Sequence, residues 1–274
     1  MPPDEDTIAV LEARAQDVRR DIVQMLAKAK SGHPGGSLSC ADIVVALYFH
    51  VMRHDPHRPD WPDRDRFLMS KGHCAPTWYS VLARAGYFPM KWLDDLRKLN
   101  SPLQGHPDFL KTPGVEMSSG SLGQGLSIAN GMALAARLDG RSYRVYVLLG
   151  DGEIQEGQVW EAAMTSAHHK LDNLCAIIDN NGLQIDGRTD EVKSLGSIPA
   201  KWESFDWNVI EVDGHSMAAL LTAFEAARAV KHRPTVIVAR TVKGKGVSFM
   251  EHVVDYHGVA PTEQECARAL AEMS

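Results

Sequence analysis

The sequence has only four cysteines, Cys40, Cys74, Cys175 and Cys266, and no Cys-x-x-Cys pair among its 274 residues. Spacing this wide argues against a disulfide framework and against a zinc site, and it fits a reducing cytosol. Basic residues are also scarce. Against 35 Asp and Glu there are 29 Lys and Arg, a net charge of -6, with no dense Lys/Arg stripe. A general nucleic-acid role is not expected of such a chain. The one basic cluster, Lys243-Gly244-Lys245, is the size of a local anion site, so an acidic protein with a small basic pocket points to a phosphorylated small molecule. No apolar run approaches the ~18 residues that would span a bilayer. The acidic start, Met-Pro-Pro-Asp-Glu-Asp, lacks the apolar core of a secretory signal. No membrane association is expected, and the reading is a cytoplasmic protein. Repeats, low-complexity tracts and internal linkers are missing too, so the simplest count is one domain over 1–274.

What is present reads as an ordinary globular α/β chain, 44% apolar and 23% charged. Ile8, Leu11, Ala15, Val18, Ile22, Met25 and Leu26 predict an amphipathic helix over 6–30. A second, buried helix is expected over 41–51 with Ser39 as its cap. The Pro- and charge-rich stretch 53–66 reads as an exposed connection into a short strand, Arg66 to Ser70. Further helices are expected over 76–86, 90–99 and 124–138. Three apolar runs bounded by turn residues, at 143–149, 174–179 and 235–240, predict buried strands. Between the first two, Val159, Ala163, Met164 and Ala167 form a helical stripe, which completes a βαβ unit. The expected fold class is α/β: a mainly parallel sheet with helices on both faces, binding its ligand beyond the carboxyl ends of the strands.

Two loops stand at those ends. Gly150-Asp151-Gly152 follows one strand and Asn180-Asn181-Gly182 the next, so the two should be neighbours. Glycine there admits a ligand close to the backbone, while a carboxylate and an amide oxygen are hard donors suited to magnesium bound to phosphate oxygens. Either loop alone reads equally well as a plain turn. On consecutive strands they make a much more specific signal.

Asp-Gly followed one strand later by Asn-Asn-Gly resembles the fingerprint of thiamine diphosphate enzymes. The stretches SGHPGGSLS (31–39), SKGHCAP (70–76), LQGHPD (103–108), SSGSLGQGLSIANGMALA (118–135) and HGVAP (257–261) are similar to transketolase motifs, in transketolase order. The resemblance covers nearly the whole chain but only the first of that family's three domains, the one that binds the diphosphate. It implies that Asp151 and Asn181 ligate the metal by their side chains and Leu183 by its carbonyl; calcium or manganese could substitute for magnesium. It further implies that Gly152 touches the diphosphate, that Gly120, Ser121 and Leu122 form the glycine-rich cofactor loop at the start of a helix, and that Lys243 stands near the diphosphate. His33, His73, His106 and His257 match histidines that line the channel, contact cofactor or sugar and move protons, a role suited to imidazole; His73 and His257 are also expected at the cofactor. Glu156 matches an acidic residue that meets an activating glutamate across a subunit interface, and a glutamate favoured by the dipole in a first helical turn is nearly as good a reading. The remaining eight histidines, including His54 and His215, read as surface residues.

The same resemblance implies what acts beside the chain. Family members carry the pyrimidine pocket, the activating glutamate and the arginines for the substrate phosphate on a second domain, and this chain stops at APTEQECARALAEMS. The expectation is the N-terminal subunit of a split transketolase, inactive alone. It would pair with a C-terminal subunit in an α2β2 heterotetramer and pass a two-carbon ketol unit between sugar phosphates; a truncated piece of a longer enzyme is the other possibility. Two departures stand out. Gly36 replaces a hydroxyl residue of animal-type members, and Ser121 replaces a proline common in full-length microbial and plant enzymes. Rival readings are the diphosphate half of a deoxyxylulose-phosphate synthase or a ketoacid dehydrogenase, and a non-catalytic relative. SKGH and GHPD favour transketolase. GSLGQG is not the dinucleotide fingerprint, and no P-loop is present.

Overall fold

The three apolar runs lie side by side in one sheet. The computed structural model describes residues 4–273; residues 1–3 and 274, the ends of the expected 1–274 domain, lie outside the described residues. In chain order the elements are α1 (Glu5–Ala29), α2 (Pro34–Ser39), α3 (Ala41–Ala46), β1 (Arg66–Met69), α4 (Ala75–Ala85), α5 (Gly125–Leu138), β2 (Val145–Gly150), α6 (Gly157–His168) and β3 (Leu174–Asn180). There follow β4 (Leu183–Gln184), β5 (Gly187–Arg188), α7 (Thr189–Lys193), α8 (Ile198–Ser204), β6 (Asn208–Asp213), α9 (Met217–Ala229), β7 (Thr235–Arg240) and α10 (Glu263–Glu272). The main sheet has the order β1-β2-β3-β7-β6, and every pair in it is parallel. The short pair β4-β5 is antiparallel.

Parallel strands need helical crossovers, which cover both faces and make the strands apolar throughout. Successive side chains therefore divide between two cores. Phe67, Met69, Tyr146, Leu148, Cys175 and Ile177 enter one with α1, α3, α4 and α9. Leu68, Val145, Val147, Leu149, Ala176 and Ile178 enter the other with α5, α6 and α8. Each fully buried Leu, Ile or Val contributes about 1.5–3 kcal/mol, so the central strands are the best-anchored part of the molecule.

Helix α1 follows its sequence signal: the Asp4 carboxylate accepts from Thr7 N at 2.8 Å, and Leu11, Ala15, Val18, Ile22 and Leu26 are buried. Elsewhere the elements depart from expectation. Ser39 does not cap a helix; it closes α2, and its hydroxyl lies 3.0 Å from Gly36 O and donates to the Asp179 carboxylate at 2.5 Å. The apolar run 41–51 is α3 followed by a π-helical turn, Leu47–Val51. The expected helix 90–99 is only a 3-10 segment, Met90–Asp95, because Arg97 and Asn100 adopt positive φ of 62° and 64° that no helix tolerates. No helix among the described residues is long and apolar enough to cross a membrane.

Candidate active site

Parallel alignment brings the carboxyl ends of β1, β2, β3 and β7 to one rim, and the residues that follow each strand enclose a cavity of about 240 Å3. From β1 come Lys71 and His73, from β2 Asp151, Gly152 and Glu153, from β3 Asn181, and from β7 Lys243. Leu122, Gln155, Glu156, Leu183 and His257 complete much of the wall. Residues scattered over the chain thus converge because the register places their strands' ends level.

Asp151 is 2% exposed, and its carboxylate is held by the backbone: Oδ1 accepts from Gly152 N at 2.8 Å and Oδ2 from Gly182 N at 2.5 Å. Burial, reinforced by the negative Asp179 nearby, pushes its pKa up to about 6. A carboxylate penalised in this way is relieved by a cation. Close by, Asn181 Oδ1 accepts from Leu183 N at 3.1 Å, and the Leu183 carbonyl accepts from the Lys243 ammonium at 3.1 Å. The same ammonium lies 2.8 Å from His257 Nδ1. Burial brings Lys243 down to about 8, against the attraction of Asp151. Among the described residues no three His, Cys, Asp or Glu side chains could hold a metal by themselves. The donor set of one carboxylate, one amide oxygen and one carbonyl fits a hard divalent ion only if a ligand brings further oxygens. Gly152 leaves the backbone open to such a ligand; a Cβ there would stand 3.0 Å from Gln184 Cβ.

Beneath the cavity runs a set of buried charges that the sequence motifs contain without advertising. Lys71 pairs with Asp179, donates to Gly36 O at 3.0 Å, and both members of the pair are almost fully buried. Burial opposes ionisation of Asp179, but Lys71 and the hydroxyls of Ser39 and Thr241 outweigh it and hold the carboxyl below its usual range. Glu153 accepts from Ser70 Oγ, from Gly123 N at 3.0 Å and from Gly150 N at 3.0 Å. It therefore ties the end of β2 to the loop before α5. The sequence signal for all three is a charged residue inside or next to an apolar strand, where it must find a partner.

The four singled-out histidines do come together. Ring centroids lie 5.2 Å apart for His73 and His257, 5.3 Å for His33 and His73, 5.6 Å for His33 and His257, and 6.5 Å for His33 and His106. Burial, with the positive Lys71 and Lys243, pushes His73 down to about 3. Burial, Lys243 and His73 bring His257 to about 3, and burial, His73 and Arg97 bring His33 to about 4. His106 is lowered chiefly by burial. The cluster is therefore neutral near pH 7, each ring able to donate through one nitrogen and accept through the other. His33 Nδ1 is buried without a protein partner, a polar atom that a ligand or water would satisfy.

Other sequence expectations need correction. Gly120, Ser121 and Leu122 do not start a helix. Gly120 and Gly123 turn the chain at φ of 140° and 85°, so α5 begins only at Gly125, whose N–H is taken by Ser70 Oγ at 3.2 Å. Of the three, Leu122 lines the cavity, while Gly120 packs against the His106 ring, 3.2 Å from where its Cβ would stand. Glu156 is exposed at the N-cap position of α6, with no capping bond, and faces the cavity. A Cβ at Gly36 would stand 2.8 Å from Cys74 Sγ, so the hydroxyl residue of animal-type members would require the Cys74 thiol to shift. His54 and His215 are not surface residues: His54 stacks on Tyr87, and His215 bonds Asp42 and Val242.

Comparison with known proteins adds a family to this geometry. The family model described as transketolase, thiamine diphosphate binding domain, matches residues 11–273. The 6-deoxy-6-sulfo-D-fructose transketolase subunit SqwG of Clostridium sp. (strain MSTE9) is 43% identical over 263 residues, 96% of each chain. An apulose-4-phosphate transketolase subunit of Phocaeicola vulgatus is 43% identical over 267 residues, 97% of this chain and 95% of that one. The structure of transketolase from Leishmania mexicana matches with a TM-score of 0.91 and 35% identity, over 96% of this chain but only 41% of that one. A chain with these loops, this sheet order and these matches belongs to the transketolase family, as a form of its thiamine diphosphate binding domain.

Proposed function

We propose that this chain is the diphosphate-binding subunit of a two-chain transketolase, which transfers a two-carbon ketol unit from a ketose phosphate to an aldose phosphate. The observation that carries the reading is the convergence, around one cavity, of hard oxygen donors and a buried lysine with a cluster of neutral histidines. Asp151, Asn181 and the Leu183 carbonyl would hold magnesium, with calcium or manganese as substitutes, and Lys243 would balance diphosphate charge. Thiamine diphosphate, when bound, supplies the carbanion chemistry. The chain's own residues bind and orient it. Gly152 permits close backbone approach, Leu122 lines the cavity, and Gly120 and Ser121 are proposed to reach the cofactor from the same turn. The Lys243 ammonium needs His257 Nδ1 as an acceptor, which leaves the proton of that ring on Nε2, available to a sugar or cofactor oxygen. His33, His73 and His106, neutral beside it, are proposed to hold and relay protons on substrate hydroxyls.

The cavity, at about 240 Å3, is below the roughly 300–1,000 Å3 of a complete small-molecule site, which suits one end of a ligand. A partner chain with the pyrimidine-binding domain would enclose the other end, beside Glu156, in a proposed α2β2 assembly of single-domain and longer chains. Both relatives matched end to end are named as transketolase subunits, one for 6-deoxy-6-sulfo-D-fructose and one for apulose 4-phosphate. Those names support a two-chain enzyme and extend the donor class beyond ordinary pentose phosphates. Three buried free thiols fit a reducing compartment, and we place the enzyme in the cytoplasm.

The test is ketol transfer from xylulose 5-phosphate, 6-deoxy-6-sulfo-D-fructose or apulose 4-phosphate to an aldose phosphate, with magnesium and thiamine diphosphate. The chain is assayed alone and with the product of the adjacent reading frame. Activity only in the mixture, lost on Asp151→Ala, is the expected result; a chain that binds no thiamine diphosphate in either state overturns the proposal.

A further inference from the structure

We propose that His215 is a positioning residue for Lys243: its imidazole anchors the loop that carries the lysine by accepting the Val242 N–H. Val242 N lies 2.8 Å from His215 Nε2. Its neighbours end on backbone oxygens, Thr241 N on Asn180 O at 3.1 Å and Gly244 N on Gly35 O at 3.0 Å. Between them, the Val242 N–H ends on a side chain instead, which adds a third tether to those made by the Thr241 hydroxyl and the Lys243 ammonium.

The geometry fixes the ring's protonation pattern. A nitrogen that accepts an amide N–H carries no proton, so the proton sits on Nδ1 and is donated to Asp42 Oδ2, 2.7 Å away. Asp42 is in turn gripped by Arg19 through both oxygens, one contact at 3.1 Å. Arg19 on α1 and Asp42 on α3 thus orient an imidazole that reaches the β7 exit. The backbone around His215 is equally constrained. Its N–H donates to Asp213 Oδ1 at 2.9 Å, and Ser216 caps α9 through Ala219 N at 3.3 Å. Gly214 N donates to Arg240 O at 2.7 Å, and a Cβ on Gly214 would stand 2.5 Å from Thr241 Cγ2. The two loops are therefore locked face to face.

None of Arg19, Asp42 or His215 lines the cavity. Their effect on the site passes through Val242 to the next residue, whose ammonium meets Leu183 O and His257 Nδ1. Lys243 has little freedom to compensate, since its Cγ lies 2.9 Å from where a Cβ on Gly35 would stand.

The test compares wild type with His215→Ala, His215→Leu and His215→Gln in the intact chain. Amide exchange of the segment 240–247 and binding of magnesium thiamine diphosphate are measured together. Replacement by Ala leaves Asp42 paired with Arg19, so no buried charge is stranded, and the variant is expected to fold. Ala and Leu, which offer no acceptor, are expected to raise exchange at Val242 and to weaken cofactor binding by about tenfold or more. Gln places an amide oxygen near the Nε2 position and is expected to restore both in part, a rescue that a space-filling role would grant to Leu instead. Wild-type exchange in the Ala and Leu proteins would overturn the inference. The effect on cofactor affinity rests on the function proposed above. A wild-type chain that binds no thiamine diphosphate counts against that function, while the exchange comparison still decides the role of His215.

Discussion

The Lys243 ammonium donates to Nδ1 of His257 across 2.8 Å. A cation so placed opposes a second positive charge on the ring, and together with burial it keeps His257 at about 3. Lys243→Met should therefore let the His257 pKa rise toward the ordinary imidazole value, although burial still holds it below. Histidine NMR titration checks this: the wild-type ring is expected to stay neutral down to pH 5, and the variant's to titrate at higher pH. The same substitution removes a charge from the proposed diphosphate site and should weaken binding of magnesium thiamine diphosphate by about 10–100-fold, the range of a charged hydrogen bond.

Asp151→Asn separates stability from ligand binding. Removing the charge relieves the burial penalty that raises the Asp151 pKa to about 6, while one of the two backbone donors, Gly152 N or Gly182 N, loses its acceptor. Each effect is of the order of 1 kcal/mol and they oppose, so the melting temperature of the cofactor-free chain should move by no more than about 3 °C. Magnesium thiamine diphosphate binding, measured by calorimetry, should fall more than about 100-fold, because a neutral amide would replace the anionic donor proposed for the metal.

Lys71→Met strands the Asp179 carboxylate in the core. Breaking a buried pair from one side costs about 3–5 kcal/mol, and urea denaturation should report a loss of that size. The double substitution with Asp179→Asn is expected to be less damaging than the sum of the singles. Strict additivity would mean that the two side chains do not act as a unit.

Acid should destabilise the chain, and the sign follows from the site. His33, His73 and His257 have folded values of about 4, 3 and 3 against an ordinary 6.5. Below pH 6.5 the unfolded chain takes up protons that the folded one refuses, so stability conferred by these groups is lost as pH falls toward their folded values. Asp151 works the other way, since its folded value of about 6 exceeds the ordinary 3.8 and the folded state protonates first between them. Three groups against one leave a net loss. Melting temperature is expected to drop from pH 7 to pH 5, and His73→Gln should shallow that decline; an unchanged slope would contradict the linkage.

The strands legible in the sequence are those buried on both faces, since only they read as continuous apolar runs. Strand β6 lies at the sheet's edge, where Asn208, Glu211 and Asp213 are polar and only Val212 is buried, and its pattern carries no such signal. Helix α9 has an ordinary one, Ser216 before the stripe Met217, Leu220, Leu221 and Phe224, and with β6 it extends the sheet past the apolar runs. Asp151, Asn181, Lys243 and the four clustered histidines are visible because each sits in a short glycine-flanked motif. His215 sits beside a glycine as well, but its partner Asp42 is 173 positions away, and nothing local tells a buried relay from a surface ring.

In the sheet order β1-β2-β3-β7-β6, every strand hands a candidate site or positioning residue to the same rim: Lys71, Asp151, Asn181, Lys243 and His215 in turn. The opposite rim, where the chain enters β2 after Arg141, β3 after Asp172 and β7 after Lys231, holds none of them. Assembly of the site thus depends on strand register and not on unbroken connectivity. New chain ends opened at that opposite rim, with the present termini joined, would leave each of these side chains at the end of its own strand.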